Sequence, residues 1–318
     1  MVRIQVLEPA SDPLTPFADD LVLLNSMVVT EKLPGENEKR DDSLEIEFFN
    51  LASREAIVSL AGILNESPGF NYLAGSRILE IPFGVEEGTI LDRELVISLC
   101  DSLGADVLVS LDHFISDYNH SVNVRHGTYE TGWSNYYEGR LDLHISAIWR
   151  AYEGETGAPV DEYVLNDTMQ WVGAAFTRRE LDAYLPRNEE ALMEAAYFVA
   201  INYARRIAPY WMEDERSYFS RGHRRIRLAS EYIENHDLDE AATIYGRLTS
   251  HRNSNIVAAA LHNLALVYEM KGEYLNALKL ARESFSTRMH PVTDDYLDIL
   301  EERLEKADKL DRQLDRSH

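Results

Sequence analysis

LHNLALVYEMKGEYLNALKLA, residues 261–281, reads as two short helices folded back on each other around Gly272. Apolar and small residues recur at helical spacing on both sides of that glycine, and a glycine supplies the left-handed turn that reverses a chain between helices. Whether the stretch is a lone hairpin or one member of an array decides how the last third of the chain is built. Setting Ala265 over Ala229 answers the question. LASEYIENHDLDEAATIY (228–245) and LALVYEMKGEYLNALKLA (264–281) then align without a gap, with Leu228/Leu264, Ala229/Ala265, Tyr232/Tyr268 and Ala241/Ala277 coincident. Small residues at the alanine positions let two antiparallel helices approach closely, while leucine and tyrosine fill the groove between them. In the first copy His236 stands where the second has Gly272, within a polar Asn235-His236-Asp237 turn.

The pair resembles the tetratricopeptide repeat. Leu261, Leu264, Ala265, Tyr268, Ala277, Ala281 and Pro291 occupy places of its W-x2-L-G-x2-Y…A…P signature, while the first-helix tryptophan is missing. The period is 36 residues, against about 34 in that family, and the extra residues fall in SHRNSN (250–255). A last helix is expected over 294–314, where Leu297, Leu300, Leu304, Ala307 and Leu314 form one stripe and the rest is charged, as in a capping helix. The resemblance implies binding of a protein partner. One version of the family clamps a C-terminal carboxylate with lysine and asparagine; only Asn263 falls on such a position here, and Ile226 and Ser230 take the first-copy places. The cluster RGHRRIR (221–227) adds Arg224 and Arg227 as candidate contacts to acidic groups.

The remaining sequence has a different composition. The 318 residues suit about two domains, and 45% apolar with 27% charged is an ordinary globular balance. The net charge of −24 opposes contact with nucleic acid phosphates. Residues 1–208 hold 15 Lys+Arg against 35 Asp+Glu, whereas 209–318 hold 16 against 20, so the acidity belongs to the first part. Two domains are therefore expected, an acidic α/β domain over 1–220 and helical repeats with a capping helix over 221–318. No apolar run approaches the roughly 20 residues of a membrane span; AAYFVAINYA (195–204) reads as a buried helix. Cys100, the only cysteine, sits in an apolar helix and reads as a packed thiol.

Within the first part, residues 2–8 alternate as a half-buried strand, and 21–29 form a second extended run. PGENEKRDDS (34–43) reads as an exposed loop, and 48–64 as a helix ended by Pro68-Gly69. Residues 92–103 form an amphipathic helix stopped by Gly104, followed at once by the strand ADVLVSLDHFIS. RLDLHISAIWRAY (140–152) and PVDEYVLNDTMQW (159–171) alternate on either side of EGETG, a hairpin signal. Helices over 177–184 and 188–207 follow, and a return strand is expected over 210–219. The expected fold class is α+β: a mixed, partly antiparallel sheet with helices, followed by an all-α tetratricopeptide-like helical domain. HGTYETGWSNYYEG (126–139) places Tyr129, Trp133, Tyr136 and Tyr137 among turn residues, where aromatics stack on sugars, anchor partners or cover the sheet.

No phosphate-cradling loop, nucleophile elbow, HExxH or calcium loop occurs. His113, His120 and His126 fit no ligand spacing, so no metal and no cofactor is expected, and no catalytic residue can be named. Taken whole, the chain resembles cell-envelope lipoproteins of Bacteroidetes-type bacteria, on the strand running into Pro9-Ala10, the LGADVLVSL unit and the paired helices. LGADVLVSL is also similar to amino-terminal domains of Tol-type and curli-secretion envelope proteins. These likenesses imply a place in the cell envelope, with anchoring through a lipidated cysteine on a leader removed ahead of Val2. The expectation is a non-enzymatic binding protein whose partner is a protein or a glycan, of unknown oligomeric state. The alternatives are a glycan-directed hydrolase using a carboxylate pair in the first domain, and a cytoplasmic assembly factor.

Overall fold

The computed structural model describes residues 1–14, 18–28, 42–82, 89–129 and 132–314. The exposed loop expected at 34–43 lies outside them, apart from its last two residues, which begin a helix. The chain forms two compact units, Ala10–Ala208 and a second made of Met1–Pro9 with Pro209–His318. The fold is α+β in the first and helical, with one strand pair, in the second.

Strand β1 (Val2–Glu8) belongs to the second unit. The first unit runs β2 (Leu21–Val28), α1 (Asp42–Glu66), β3 (Ile78–Pro82), α2 (Arg93–Leu103), β4 (Val107–Tyr129), β5 (Gly132–Glu153), β6 (Pro159–Ala175), α3 (Arg178–Tyr184) and α4 (Asn188–Ile207). Its sheet has the order β3-β2-β4-β5-β6. The β2–β3 and β2–β4 pairs are parallel, and β4–β5 and β5–β6 are antiparallel, so the sheet is mixed as the hairpin signal implied. Helices α1 and α4 cover one face, where Ala56, Leu60, Ala196 and Val199 meet Leu23, Val109, Leu143 and Trp149. Helix α2 covers part of the other, with Val96 and Cys100 on Val22, Leu24 and Leu108. Asp92 caps its start and Gly104, at φ 59°, ends it. Cys100 is buried there, and that burial pushes its thiol up to about 11, as befits a packed side chain.

The β4–β5 hairpin is longer than its sequence suggested, with strands of 23 and 22 residues pairing from Val107↔Glu153 out to Tyr129↔Gly132. A register shift between Leu111 and His113 leaves Asp112 as a bulge, so that Leu111 and Phe114 both enter the same core. Farther out, Gly139 pairs with Gly173 beneath α3. A Cβ on Gly139 would stand 2.8 Å from Leu181 Cδ2, so the glycine pair is what lets that helix lie on the sheet.

In the second unit β7 (Tyr210–Arg216) pairs antiparallel with β1, from Val2↔Arg216 to Glu8↔Tyr210. The expected return strand therefore exists, but its partner is β1, and both leave the sheet of the first unit. The 1–220 and 221–318 division is corrected accordingly at its edges. The physical reason is that alternation in β1 announces one buried face without saying what covers it. Val2, Ile4 and Val6 share a core with α5 (Arg224–Glu234), α6 (Leu238–Leu248), α7 (Ser254–Met270), α8 (Tyr274–Thr287) and α9 (Pro291–Leu314).

The aligned copies become the hairpins α5/α6 and α7/α8. Ala229, Ala241, Ala265 and Ala277 are all fully buried, as close helix approach requires. Their turns share one hydrogen-bond pattern: Asp237 N donates to Tyr232 O at 2.8 Å and Glu273 N to Tyr268 O at 2.9 Å. Gly272 has φ 77° and His236 has φ 63°, a left-handed conformation that disfavours a side chain by about 1–2 kcal/mol. His236→Gly should therefore raise stability by about 1 kcal/mol in urea unfolding, since the hydrogen bonds are unchanged. No gain, or a loss, would contradict that account of the turn.

Candidate functional site

Sequence reasoning proposed residues at two places, one in each unit. On the long hairpin, Tyr129, Trp133, Tyr136 and Tyr137 belong to paired strands β4 and β5, not to an extended turn. The side chains of Tyr129 and Trp133 lie outside the described residues. Tyr136 and Tyr137 are consecutive strand residues, so they point to opposite faces, and the Tyr136 hydroxyl donates to Glu138 Oε1 at 3.1 Å. These two tyrosines build no common stacking surface.

A buried polar cluster of the first unit lies where β2, β4 and β5 run side by side. β2 leads through α1 to β3 on one flank, and β3 through α2 to β4 on the other, a switch point of the kind at which open α/β sheets bind ligands. Here the chain fills it. The Asp112 carboxylate accepts from Arg150 Nη1 at 2.8 Å, Tyr152 Oη at 3.1 Å and Ser26 Oγ at 3.1 Å, and also from Ser110 Oγ. Arg150 Nε donates to Glu162 at 2.8 Å. Burial, reinforced by the Asp112 charge, pushes the Tyr152 phenol up to about 12, so it stays protonated and donates. Every charge in the cluster is answered within it, which makes it a fold-bracing network and leaves no open acid–base pair. Among the described residues no group of three or more His, Cys, Asp or Glu is placed to hold a metal ion.

The second unit contains an open cleft of ≈ 340 Å³. It is built where helix starts meet: Phe219, Arg221 and Gly222 precede α5, Ile226 lies in its first turn, Asn253, Asn255 and Ile256 open α7, and His290 and Thr293 open α9. Ser284 and Arg288, at the end of α8, close it. Asn253 caps α7 by accepting from Asn255 N at 2.9 Å, and the His223 and His290 rings accept from Arg225 N and Val292 N, both at 3.2 Å.

Phe219 forms part of the wall, and its position is fixed from behind. Asn263 Oδ1 accepts from Phe219 N at 2.9 Å, and Asn263 Nδ2 donates to Phe219 O at 2.6 Å and to Tyr245 Oη at 3.0 Å. Asn263 is fully buried, so its amide positions the wall and is not presented to a ligand as the clamp analogy implied. The Phe219 ring meets His262 and His290 edge-on, at 4.9 and 5.0 Å. His262 Nε2 is 3.0 Å from Ser217 O; a carbonyl only accepts, so that nitrogen carries the proton, and Nδ1 accepts from Thr293 Oγ1 at 3.1 Å.

The basic cluster divides in two. Arg224 and Arg227 are exposed on the first turns of α5 and do not line the cleft, whereas Arg221 does, together with the distant Arg288. The first turn of α5 carries no acidic residue, so the arginines there sit against the positive end of the helix dipole. Among the described residues no carboxylate lines the cleft. Among the described residues neither Arg221 nor Arg288 has a carboxylate within ion-pair distance; Arg288 Nη1 donates to the Asn255 side-chain carbonyl. Sequence reasoning missed Arg288 and Arg221 as a pair because nothing local announces their meeting.

No curated protein matches the chain. A solved structure of a neuraminyllactose-binding hemagglutinin homologue from Helicobacter pylori is similar at 11% identity, with 62% of this chain and 87% of that chain covered, and a TM-score of 0.26. A likeness of that size carries no argument about fold or function. Residues 227–302 are similar to the family described as Domain of unknown function (DUF6340), which spans the helical hairpins. Residues 19–219, well over half of the chain, match a second family, and the chain belongs to it: the one described as Domain of unknown function (DUF8603).

Proposed function

We propose that the chain is a non-enzymatic binding protein of the cell envelope, and that its tetratricopeptide-like helical unit holds a protein partner at the cleft beside Phe219, Arg221 and Arg288. One observation carries the reading. The cleft combines apolar walls with arginines that no carboxylate of the described residues neutralises, whereas the buried charges of the sheet are satisfied within the fold. The acidic first unit then acts as a soluble carrier whose surface discourages nonspecific contact with anionic material. The envelope setting is supported by the resemblance of the LGADVLVSL unit to envelope proteins, and fractionation of cells expressing the full gene checks it.

Photo-crosslinking tests the binding role. A crosslinker replacing Met289, which is 80% exposed next to Arg288, should capture one partner from envelope extracts. The same group at Val172, 69% exposed on β6, should capture none. Capture only from Val172 would move the binding role to the sheet and overturn the reading.

A further inference from the structure

The cleft of the helical unit also constrains what it accepts. Its floor is apolar, from Phe219, Ile226 and Ile256, and its rim is cationic and amide-rich, from Arg221, Arg288 and Asn253. Three helices, α5, α7 and α9, begin at this cleft, so the positive ends of three helix dipoles converge on it. Their first amides are engaged by His223, Asn253 and His290, which leaves direct contact to the side chains and the dipoles to act through their field. Two guanidinium groups from separate elements, Arg221 ahead of α5 and Arg288 after α8, line the same cleft as the Asn253 side chain, and their N–H groups outnumber the acceptor positions on the two oxygens of a carboxylate. They match a tetrahedral oxyanion with three free oxygens.

We propose that the cleft recognises a phosphate monoester carried on an apolar group, with Arg221 and Arg288 on the phosphate and Phe219 and Ile226 against the apolar body. This deepens the binding role assigned to the helical unit and rests on it. The volume of ≈ 340 Å³ suits one such group presented by the partner. Guanidinium donors on a doubly charged group also make the interaction fall with added salt.

The test is an NMR titration of the full chain with phenyl phosphate, inorganic phosphate and acetate at fixed ionic strength. Phenyl phosphate should bind saturably, with amide shifts confined to 219–226, 253–259 and 288–293, and about tenfold more tightly than inorganic phosphate, the gain expected from burying its ring. Acetate should shift nothing. Arg221 and Arg288 are exposed, so Arg221→Gln/Arg288→Gln should fold normally and lose at least about tenfold in affinity for phenyl phosphate. Absence of saturable shifts, equal binding of acetate, or full affinity in the double variant would each overturn the assignment. Crosslinks from Met289 together with no phosphate binding would leave the partner-binding role standing and remove only the ligand class.

Discussion

Arg216→Met lowers the stability of the helical unit by about 3–5 kcal/mol, because it strands a buried carboxylate. Arg216 and Glu269 have side chains only 2% and 1% exposed, and Nη2 of the arginine stands 2.8 Å from Glu269 Oε1. Arg216 Nε also donates to the two Glu269 oxygens at 2.9 and 3.1 Å, Nη1 lies 2.6 Å from Asp214, and the Tyr296 hydroxyl donates to Glu269 at 2.6 Å. The network continues through Glu8, paired with Arg303 at 2.5 Å and Lys306 at 2.9 Å. It therefore ties β1 and β7 to α7 and α9, and it explains why a strand from the beginning of the chain folds with helices from its end. Urea unfolding followed by helical circular dichroism reads the loss. Arg216→Met/Glu269→Leu should recover much of it, since neither charge is then left alone in the interior. A single variant as stable as the parent would show that the pair is not what holds the ribbon.

The second large effect is a pH dependence set by His262. Its ring is fully buried, and that burial, with the neighbouring His290 adding to it and the Ser217 carbonyl opposing it, lowers its pKa to about 4. In the unfolded chain the same imidazole titrates near 6.5. The unfolded state thus binds the proton first. Stability contributed by the neutral ring is fully present above pH 6.5 and is lost as pH falls from there towards 4, by about 3 kcal/mol in all. His262→Asn removes the titration while keeping a polar group, so the stability of the variant should fall less steeply across that window than the parent's. Carboxylates titrate in both proteins, and the difference between the two curves isolates the histidine. Parallel curves would contradict the burial account.

How much of this was legible follows from which interactions are local. The two hairpins could be read because a close helix pair demands alanine, leucine and tyrosine at fixed offsets, and Ala229/Ala265 and Ala241/Ala277 supply them in register. The left-handed turn at His236 was legible only through its alignment with Gly272. Strand β1 showed its buried face through Val2, Ile4 and Val6, but the identity of the covering helices is a long-range fact. The outer end of the β4–β5 hairpin reads as turn residues because Gly127, Gly132 and Gly139 punctuate it, although Tyr118, Val122 and Val124 alternate with Asp117, Asn119, Ser121 and Asn123 in the strand that leads to it. The short β3 has too few residues to show a period. The cleft was least legible of all. Arg221 lay in a quoted cluster beside Arg224 and Arg227, but the choice among them depends on Arg288, brought alongside by the folding of α7 and α8.

The central claim is that partner binding resides in the helical unit, at the starts of α5, α7 and α9. Hydrogen–deuterium exchange of the full chain, alone and saturated with the partner captured from Met289, tests it most directly. The account predicts slowed exchange over 219–226, 253–259 and 288–293, with none along 107–129 and 132–175. Protection confined to the sheet, with the helix starts exchanging as in the free chain, would contradict it.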